Sequence, residues 1–349
     1  MTTIEAPART GTAEPVPAAL AELAAGRPVV VLDDREAHLV FAAAHATARL
    51  VAFAVRHTSG LLRAAISAER ADELRLPPMT SADDRRGGAV HAVAVDAVAG
   101  VTTGISAADR ARTITALAEP RTAPDDLARP GHVVPLRVGS HGVLAHRGPA
   151  EAAADLAALA GLSRAGAFDQ LIGLDDPTLL APAAEARAFA REHGLAVLSI
   201  DDVVAHRMRR DGVVRRCAEA RLPLAAGTFR AVGYRSLLDE HEHLALVQGW
   251  PEGSSPVHVH RECALSAVPG AAHCGCRRRL DIALEDCARR GEGIVVLVRG
   301  DMTSGTCPAT DPRGQHLADL LAEAITTDLR SSDRPTSAGR TGVYARGHA

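Results

Sequence analysis

A run of four apolar, mostly β-branched residues limits the fold more than any other feature of this sequence. The run follows Pro28, reads Val29-Val30-Val31-Leu32 and has no polar position. A continuous apolar run of this length indicates a strand that is buried on both faces. Similar short runs recur along the chain between segments with helical spacing. This alternation predicts an α/β (α+β) protein with a mixed sheet.

The chain is long enough for two domains, because 349 residues can bury more than one core. We expect a disordered lead over 1–17, a first domain over 18–207, a charged linker over 208–216, a smaller domain over 217–328 and a disordered tail over 329–349. The tail is rich in Gly, Ser and Arg and low in apolar residues, which is typical of disordered chain.

Local patterns predict the elements of both domains. The expected helices cover 18–25, 39–46, 47–55, 67–74, 110–117, 151–159, 183–192, 280–289 and 314–327. The expected strands cover 29–32, 61–66, 89–98, 133–137, 142–145, 196–200, 221–232, 244–248, 257–260 and 293–298.

Residues 100–113, which read GVTTGISAADRART, combine a turn with a helix start. Ser106 is a suitable N-cap, and Asp109 adds a negative charge to the first turn. Amides at a helix start, the hydroxyls of Thr102 and Thr103 and a following arginine together suit an anion such as a phosphate ester. An ordinary capped surface helix would show the same pattern, so both interpretations stay open on the pattern alone.

Three of the six cysteines have the spacing of a metal site. Cys263, Cys274 and Cys276 form the pattern C-x10-C-x-C. Thiolates bind zinc well, and three of them leave the fourth tetrahedral position open for water, as in a catalytic zinc site. Clustered or buried cysteines without a metal are the alternative. The other cysteines fit no ligand pattern and are interpreted as ordinary thiols: Cys217, Cys287 and Cys307.

Charge and hydropathy limit the partners. The net charge is -3 and no basic face is evident, so nucleic acid is not an expected partner. No apolar run approaches the roughly 20 residues that cross a bilayer, and the first residues lack the apolar core of a signal peptide. A cluster of cysteines in a large chain favours a reducing compartment. We therefore expect a cytoplasmic protein without a membrane partner.

Two motifs that flank residues 100–113 indicate a resemblance to a known family. With His57-Thr58-Ser59-Gly60 before it and an Arg-Pro-Gly-His sequence at 129–132 after it, the segment resembles 3,4-dihydroxy-2-butanone 4-phosphate synthase over about 18–207. Beyond residue 215 the chain resembles GTP cyclohydrolase II. The whole is similar to the bifunctional riboflavin biosynthesis proteins, as a diverged and C-terminally truncated member. The resemblance implies a homodimer and the family reaction, from ribulose 5-phosphate to 3,4-dihydroxy-2-butanone 4-phosphate and formate.

The resemblance also implies site residues in the first domain. Glu36 would be a catalytic residue and a ligand of Mg²⁺ or Mn²⁺, and His132 would be a second catalytic residue. The residues that would bind a phosphorylated sugar are Arg35, Thr102, Thr103, Asp109 and Arg110.

Three positions depart from the family pattern in the first domain, and the acidic loop after the first strand is shorter. Pro149 replaces a histidine ligand, Gln170 a glutamate that helps to enolise the sugar, and Arg63 a small residue. An amide cannot take a proton and a proline cannot bind a metal, so we expect the standard reaction to be impaired or repurposed. His38 and His146 are the candidates for a substitute ligand.

The resemblance supports zinc on the three cysteines of the second domain, but other positions differ there. His258 and Arg261 replace a triphosphate-binding arginine and a serine, Arg279 replaces a glutamine, and residues 301–305 replace a nucleotide-binding loop. GTP hydrolysis is therefore not expected. Three function classes remain: a synthase with a vestigial second domain, a diverged enzyme of a specialised pathway acting on a sugar phosphate, and a non-catalytic, zinc-holding binding or regulatory relative.

Overall fold

The chain divides into two compact units, Met1–Arg207 and Met208–Ala349. The computed structural model describes residues 15–79, 88–267, 274–300, 307 and 314–332. Within these residues no helix has the length and apolar character needed to cross a membrane.

The first unit is built on a mixed sheet with helices on both faces. Its strands are β1 (Val29–Leu32), β2 (Ala37–Ala42), β3 (Arg63–Ser67), β4 (Val90–His91), β5 (Val95–Ala97), β6 (Leu127–Val138), β7 (Ala165–Gln170) and β8 (Val197–Ser199). Its helices are α1 (Pro15–Ala24), α2 (Ala48–His57), α3 (Ala68–Glu73), α4 (Ala107–Ala118), α5 (Pro149–Leu159), α6 (Ala183–His193) and α7 (Ile200–Asp211).

The strand order of this sheet is β4-β6-β3-β7-β2-β1-β8, with β5 paired to β6. Strand β7 is antiparallel to β2 and β3, whereas β3 and β6 are parallel, as are β1 and β8. Alternate side chains enter two separate cores. Leu39 packs with α2, α4 and α6 on one face, and Phe168 packs with α1, α5 and α7 on the other.

Helix starts follow the sequence signals. The hydroxyl of Thr47 accepts a hydrogen bond from the amide of Leu50 at 3.2 Å, and that of Ser106 accepts from Asp109 at 3.1 Å. Ser67 caps α3 in the same way. Each hydroxyl satisfies an amide that has no partner within its helix. The N-cap expected at Ser106 is confirmed.

The second unit has the same layered plan with a smaller sheet. Its elements are β9 (Val214–Leu224), β10 (Gly227–Ser236), β11 (Glu242–Gln248), β12 (Val257–Arg261), α8 (Cys276–Arg290), β13 (Gly293–Val298) and α9 (Gln315–Ser332). The strand order is β12-β13-β11-β10-β9, and only β12 and β13 among these neighbours are parallel. Helix α9 covers the face of Tyr234 and Val296, and α8 covers the face of Phe229 and Val295.

Trp250 lies on the surface of this unit, just after β11. Its side chain is 62% exposed, and the guanidinium carbon of Arg230 is 5.6 Å from a ring centroid. This is a cation–π contact at an exposed site.

Five predictions were wrong. The single strand predicted over 89–98 is two short strands, β4 and β5. Residues 39–46, predicted as a helix, contain most of β2, because every residue of β2 is buried and the run carries no periodicity. Residues 142–145 form a short 3-10 helix instead of a strand. The predicted strand over 221–232 is a hairpin of β9 and β10, and the linker over 208–216 holds the end of α7 and the start of β9. The Arg-rich β9 is largely exposed and lacks the apolar pattern of a strand.

The predicted disordered ends overlap with helices. Helix α1 begins at Pro15, inside the predicted lead, and α9 continues to Ser332, inside the predicted tail. The rest of both segments, 1–14 and 333–349, lies outside the described residues, as does the loop at 301–305.

Candidate functional site

The polar residues of the first unit meet at one edge of its sheet. Strand β2 begins at Ala37 and β3 begins at Arg63, whereas the antiparallel β7 ends at Gln170. Strand starts and the end of an antiparallel neighbour lie at the same edge. Gln170 is accordingly the cross-strand neighbour of His38, and Arg63 is that of Phe168.

Asp169 is the buried centre of this edge. Its carboxylate accepts hydrogen bonds from the hydroxyls of Thr58 at 2.8 Å and Ser59 at 2.6 Å, and from Arg63 at 3.4 Å. The residue has no exposed surface. A buried carboxylate needs such donors in place of water. Sequence reasoning missed Asp169, although a carboxylate beside Gln170 in an apolar strand was a usable signal.

Gln170 lies between the carboxylate of Glu36 and the guanidinium of Arg63. Its amide nitrogen donates to the Glu36 carboxylate, and its amide oxygen accepts from Arg63 at 3.3 Å. The Arg63 guanidinium also lies 4.7 Å from the centroid of the Phe168 ring. Both ends of the amide are thus engaged, so its orientation is fixed.

The expected Mg²⁺ or Mn²⁺ site does not fit the residues present. Pro149 is the first residue of α5, the Glu36 carboxylate is engaged by Gln170, and the cationic Arg63 lies beside them. Among the described residues, no group of three or more His, Cys, Asp or Glu side chains at ligating distance includes Glu36. A divalent cation would lack the oxygen ligands it prefers here.

The two substitute histidines differ in their surroundings. His38 is 1% exposed, its Nε2 lies 3.8 Å from a Glu36 oxygen, and among the described residues neither ring nitrogen has a hydrogen-bond partner. Burial, and then the charge of Arg63, lower the pKa of His38 to about 4. His146 instead lies 3.2 Å from Glu151, whose carboxylate raises the pKa of that histidine.

A second polar group surrounds the start of α4. The carboxylate of Asp109 accepts from the hydroxyl of Thr102 at 2.8 Å and from the amides of Thr102 at 3.2 Å and Gly104 at 3.1 Å. These hydrogen bonds lower the pKa of Asp109. Asp109 therefore organises the preceding loop, and the amides of Thr102 and Gly104 are already engaged by it. Thr103 is exposed on the same loop.

His132 forms a dyad with Asp96, a residue that sequence reasoning missed. The Nδ1 atom of His132 is 2.7 Å from the Asp96 carboxylate, which also accepts from the His132 amide at 2.9 Å. The carboxylate therefore fixes the orientation of the ring and leaves Nε2 for another partner. A Cβ atom on Gly104 would lie 2.0 Å from Asp96 and 2.7 Å from His132, so this glycine lets the Thr102 loop approach the dyad.

Arg110 connects the two groups. It follows Asp109 in α4, is 6% exposed, and donates to the carbonyl of Gly60 at 2.9 Å, next to Ser59. Burial lowers its pKa, and the charge of Asp169 opposes that shift. Of the predicted residues, Thr102 and Asp109 contact each other directly. Arg110, Glu36 and His132 instead contact Gly60, Gln170 and Asp96, respectively. Arg35 is exposed just before Glu36.

The second unit holds a cluster of four cysteines, one more than the spacing indicated. The sulfur atoms of Cys263, Cys274, Cys276 and Cys307 all lie within 4.8 Å of one another. The interpretation of Cys307 as an ordinary thiol was therefore wrong. Burial, and then the neighbouring thiols, raise the pKa of Cys276 to about 12 in the absence of a cation. Cys287 is buried in the core beneath α8, and Cys217 is exposed.

Comparison with known families matches both units. The profile of 3,4-dihydroxy-2-butanone 4-phosphate synthase matches residues 17–206, and that of GTP cyclohydrolase II matches residues 215–330. The riboflavin biosynthesis protein RibBA of Salinispora arenicola is 50% identical over 288 residues, which is 81% of this chain and 68% of that protein. RibBA of Nocardia farcinica is 46% identical over 288 residues, or 81% of this chain and 70% of that protein.

Solved structures are similar over one or both units. RibBX, a two-domain 3,4-dihydroxy-2-butanone 4-phosphate synthase from A. baumannii, has a TM-score of 0.71 and 32% identity, covering 90% of each chain. A 3,4-dihydroxy-2-butanone 4-phosphate synthase in complex with two magnesium ions has a TM-score of 0.52 and 38% identity, covering 56% of this chain and 98% of that one.

Proposed function

The chain belongs to the 3,4-dihydroxy-2-butanone 4-phosphate synthase family and carries a GTP cyclohydrolase II domain, and from this membership we propose a function for each unit. The first unit binds a phosphorylated sugar of the ribulose 5-phosphate class, as a homodimer. It releases formate from that sugar much more slowly than its relatives do. The second unit holds zinc on its cysteines and does not hydrolyse GTP.

The locked Gln170 amide is the observation that carries this proposal. Enolising a sugar next to its carbonyl needs a base within hydrogen-bond reach of the proton. Gln170 occupies the position of the expected glutamate. Its amide cannot take a proton, and its hydrogen bonds with Glu36 and Arg63 fix its orientation. Loss of a general base typically slows a reaction by about 10² to 10⁴. The Glu36 carboxylate is the remaining candidate base, and it accepts a hydrogen bond from this amide.

The loop and the dyad support the binding half of the proposal. The Thr102–Asp109 hydrogen bonds fix the loop, and Gly104 brings it against His132. Asp96 engages Nδ1 of His132, so Nε2 is the ring nitrogen that would contact a sugar hydroxyl. In this arrangement Arg110 positions the Gly60 carbonyl, and the exposed Thr103 and Arg35 remain as predicted sugar-phosphate contacts.

The test is an assay with ribulose 5-phosphate and Mg²⁺ that measures both binding and formate. We expect calorimetry to detect binding, and formate release at least about a hundredfold slower than that of an intact relative assayed in parallel. Formate at the relative's rate, lost in Glu36→Ala, would overturn the proposal and restore the standard synthase. Absence of binding as well as formate would overturn the assignment of a sugar phosphate.

Asp109→Asn should weaken binding of ribulose 5-phosphate by roughly tenfold, about the effect of losing one charge-assisted hydrogen bond. The asparagine keeps the shape of the side chain but offers one acceptor atom to three loop donors, so the loop loses its fixed position. Calorimetric titration measures the change. Asp125→Asn, on an exposed carboxylate, is the control and should bind normally. Equal affinity in both variants would show that the loop does not contact the sugar.

A further inference from the structure

The fourth cysteine reaches the cluster from a different part of the chain than the other three. Cys263 follows β12, and Cys274 and Cys276 stand at the start of α8. Cys307 comes after β13. Because β12 and β13 are parallel neighbours, the segments after them leave the sheet at the same edge. The fold itself therefore brings Cys307 to the other three sulfurs.

The sulfur positions match a tetrahedral metal site. Four sulfurs bound to zinc at about 2.3 Å lie about 3.8 Å from one another. Here Cys263 and Cys274 have sulfurs 3.8 Å apart, and those of Cys276 and Cys307 are 3.3 Å apart. A disulfide would need about 2.05 Å, and none of these four cysteines forms a disulfide. Together with the 4.8 Å limit on all four sulfurs, these distances allow the four cysteines to surround one ion.

The surroundings favour a negatively charged tetrathiolate. Three of the four cysteines are buried, and Cys274 is half-buried. A guanidinium nitrogen of Arg279 donates to the sulfur of Cys276 at 3.0 Å. The positive end of the 15-residue helix α8 also lies at Cys276. Arg279 thus contacts the cluster directly, at a position where the resemblance expected a glutamine.

We propose that Cys307 is the fourth thiolate of a closed zinc site formed with Cys263, Cys274 and Cys276. The proposal rests on the zinc of the proposed function and deepens it. Zinc held by three protein ligands keeps a position for the water it activates, whereas zinc held by four cysteines has none. The ion is then a structural element that joins the ends of β12, β13 and α8.

The experiment is cobalt substitution of the full-length protein, read by absorption. Thiolate-to-cobalt charge transfer grows with the number of bound thiolates, so Cys307→Ser should lose about a quarter of it while still binding one ion per chain. Chelator competition should show that Cys307→Ser binds zinc with an affinity at least about tenfold lower than the wild type. Even residues that only hydrogen-bond the ligands of a metal contribute that much to its affinity. Cys217→Ser, on an exposed cysteine, is the matched control and should equal the wild type.

A second experiment uses only the wild type, so it does not require any variant to fold. X-ray absorption of the zinc-loaded protein measures how many sulfur atoms bind the ion. Four sulfurs at about 2.3 Å support the proposal. Three sulfurs with one oxygen or nitrogen, together with an unchanged cobalt spectrum in Cys307→Ser and metal loss in Cys263→Ser, would overturn the fourth ligand but leave the zinc. Absence of any bound metal in the wild type would overturn both.

Discussion

Asp155→Asn should lower the free energy of unfolding of the first unit by about 3–5 kcal/mol, the usual cost of breaking a buried ion pair. The Asp155 side chain is 2% exposed. One carboxylate oxygen accepts from Arg164 at 2.9 Å, and the other accepts from Arg207 at 2.7 Å and from the amide of Val143 at 2.9 Å. Asparagine has no charge and only one acceptor atom. Two largely buried guanidinium groups would then face an amide that cannot neutralise them.

Thermal unfolding followed by far-ultraviolet circular dichroism measures this loss, which corresponds to a midpoint lower by roughly 10 °C for a domain of this size. Asp72→Asn is the matched control. It breaks a pair with Arg137 at 2.6 Å, but the Asp72 side chain is 70% exposed, so we expect a change below about 1 kcal/mol. Similar losses in the two variants would contradict a special role for the buried carboxylate.

The stability of the first unit should fall by about 3 kcal/mol as pH decreases from about 6.5 to 4, through His38 alone. Burial and Arg63 lower the pKa of His38 from 6.5 to about 4. In this window the unfolded chain binds a proton at His38 and the folded chain does not. The contribution is therefore complete above pH 6.5 and is lost as pH falls towards 4.

Urea unfolding of the wild type and His38→Gln across this pH range isolates the effect. We expect the glutamine variant to lose less stability on acidification, by about the same 3 kcal/mol. His146→Gln should act at higher pH instead: Glu151 raises the pKa of His146 above 6.5, so the stability contributed by its protonation is complete below pH 6.5 and is lost as pH rises above that value. Parallel curves for the wild type and His38→Gln would show that His38 titrates normally in the folded protein.

The layered fold could be predicted from the sequence because its signals are local. Thr47, Ser67 and Ser106 cap helices where hydroxyls precede a helical pattern. The buried β2 was misread as a helix, since a strand covered on both faces shows no alternation. The exposed β9 was missed for the opposite reason, since its pairing with β10 and not its own burial makes it a strand.

The candidate sites were only partly predictable because their contacts cross long distances in the sequence. Asp169 meets Thr58 and Ser59 over more than 100 residues. Asp96 meets His132 only because β5 pairs with β6. Cys307 joins the other cysteines because two strands run parallel side by side. Strand pairing of this kind cannot be predicted from the spacing of residues. The three cysteines that lie close together in the sequence, by contrast, were predicted from their spacing.

The exposed Trp250 has a practical consequence for every experiment on this chain. All of its tryptophan and tyrosine, at positions 234, 250 and 344, lies beyond Arg207, and its first 207 residues contain neither type. The absorption and emission of tryptophan and tyrosine therefore report on the second unit alone. Metal binding to the cysteines can be followed by these signals without a contribution from the first unit. The unfolding of the second unit can likewise be recorded separately in the intact protein.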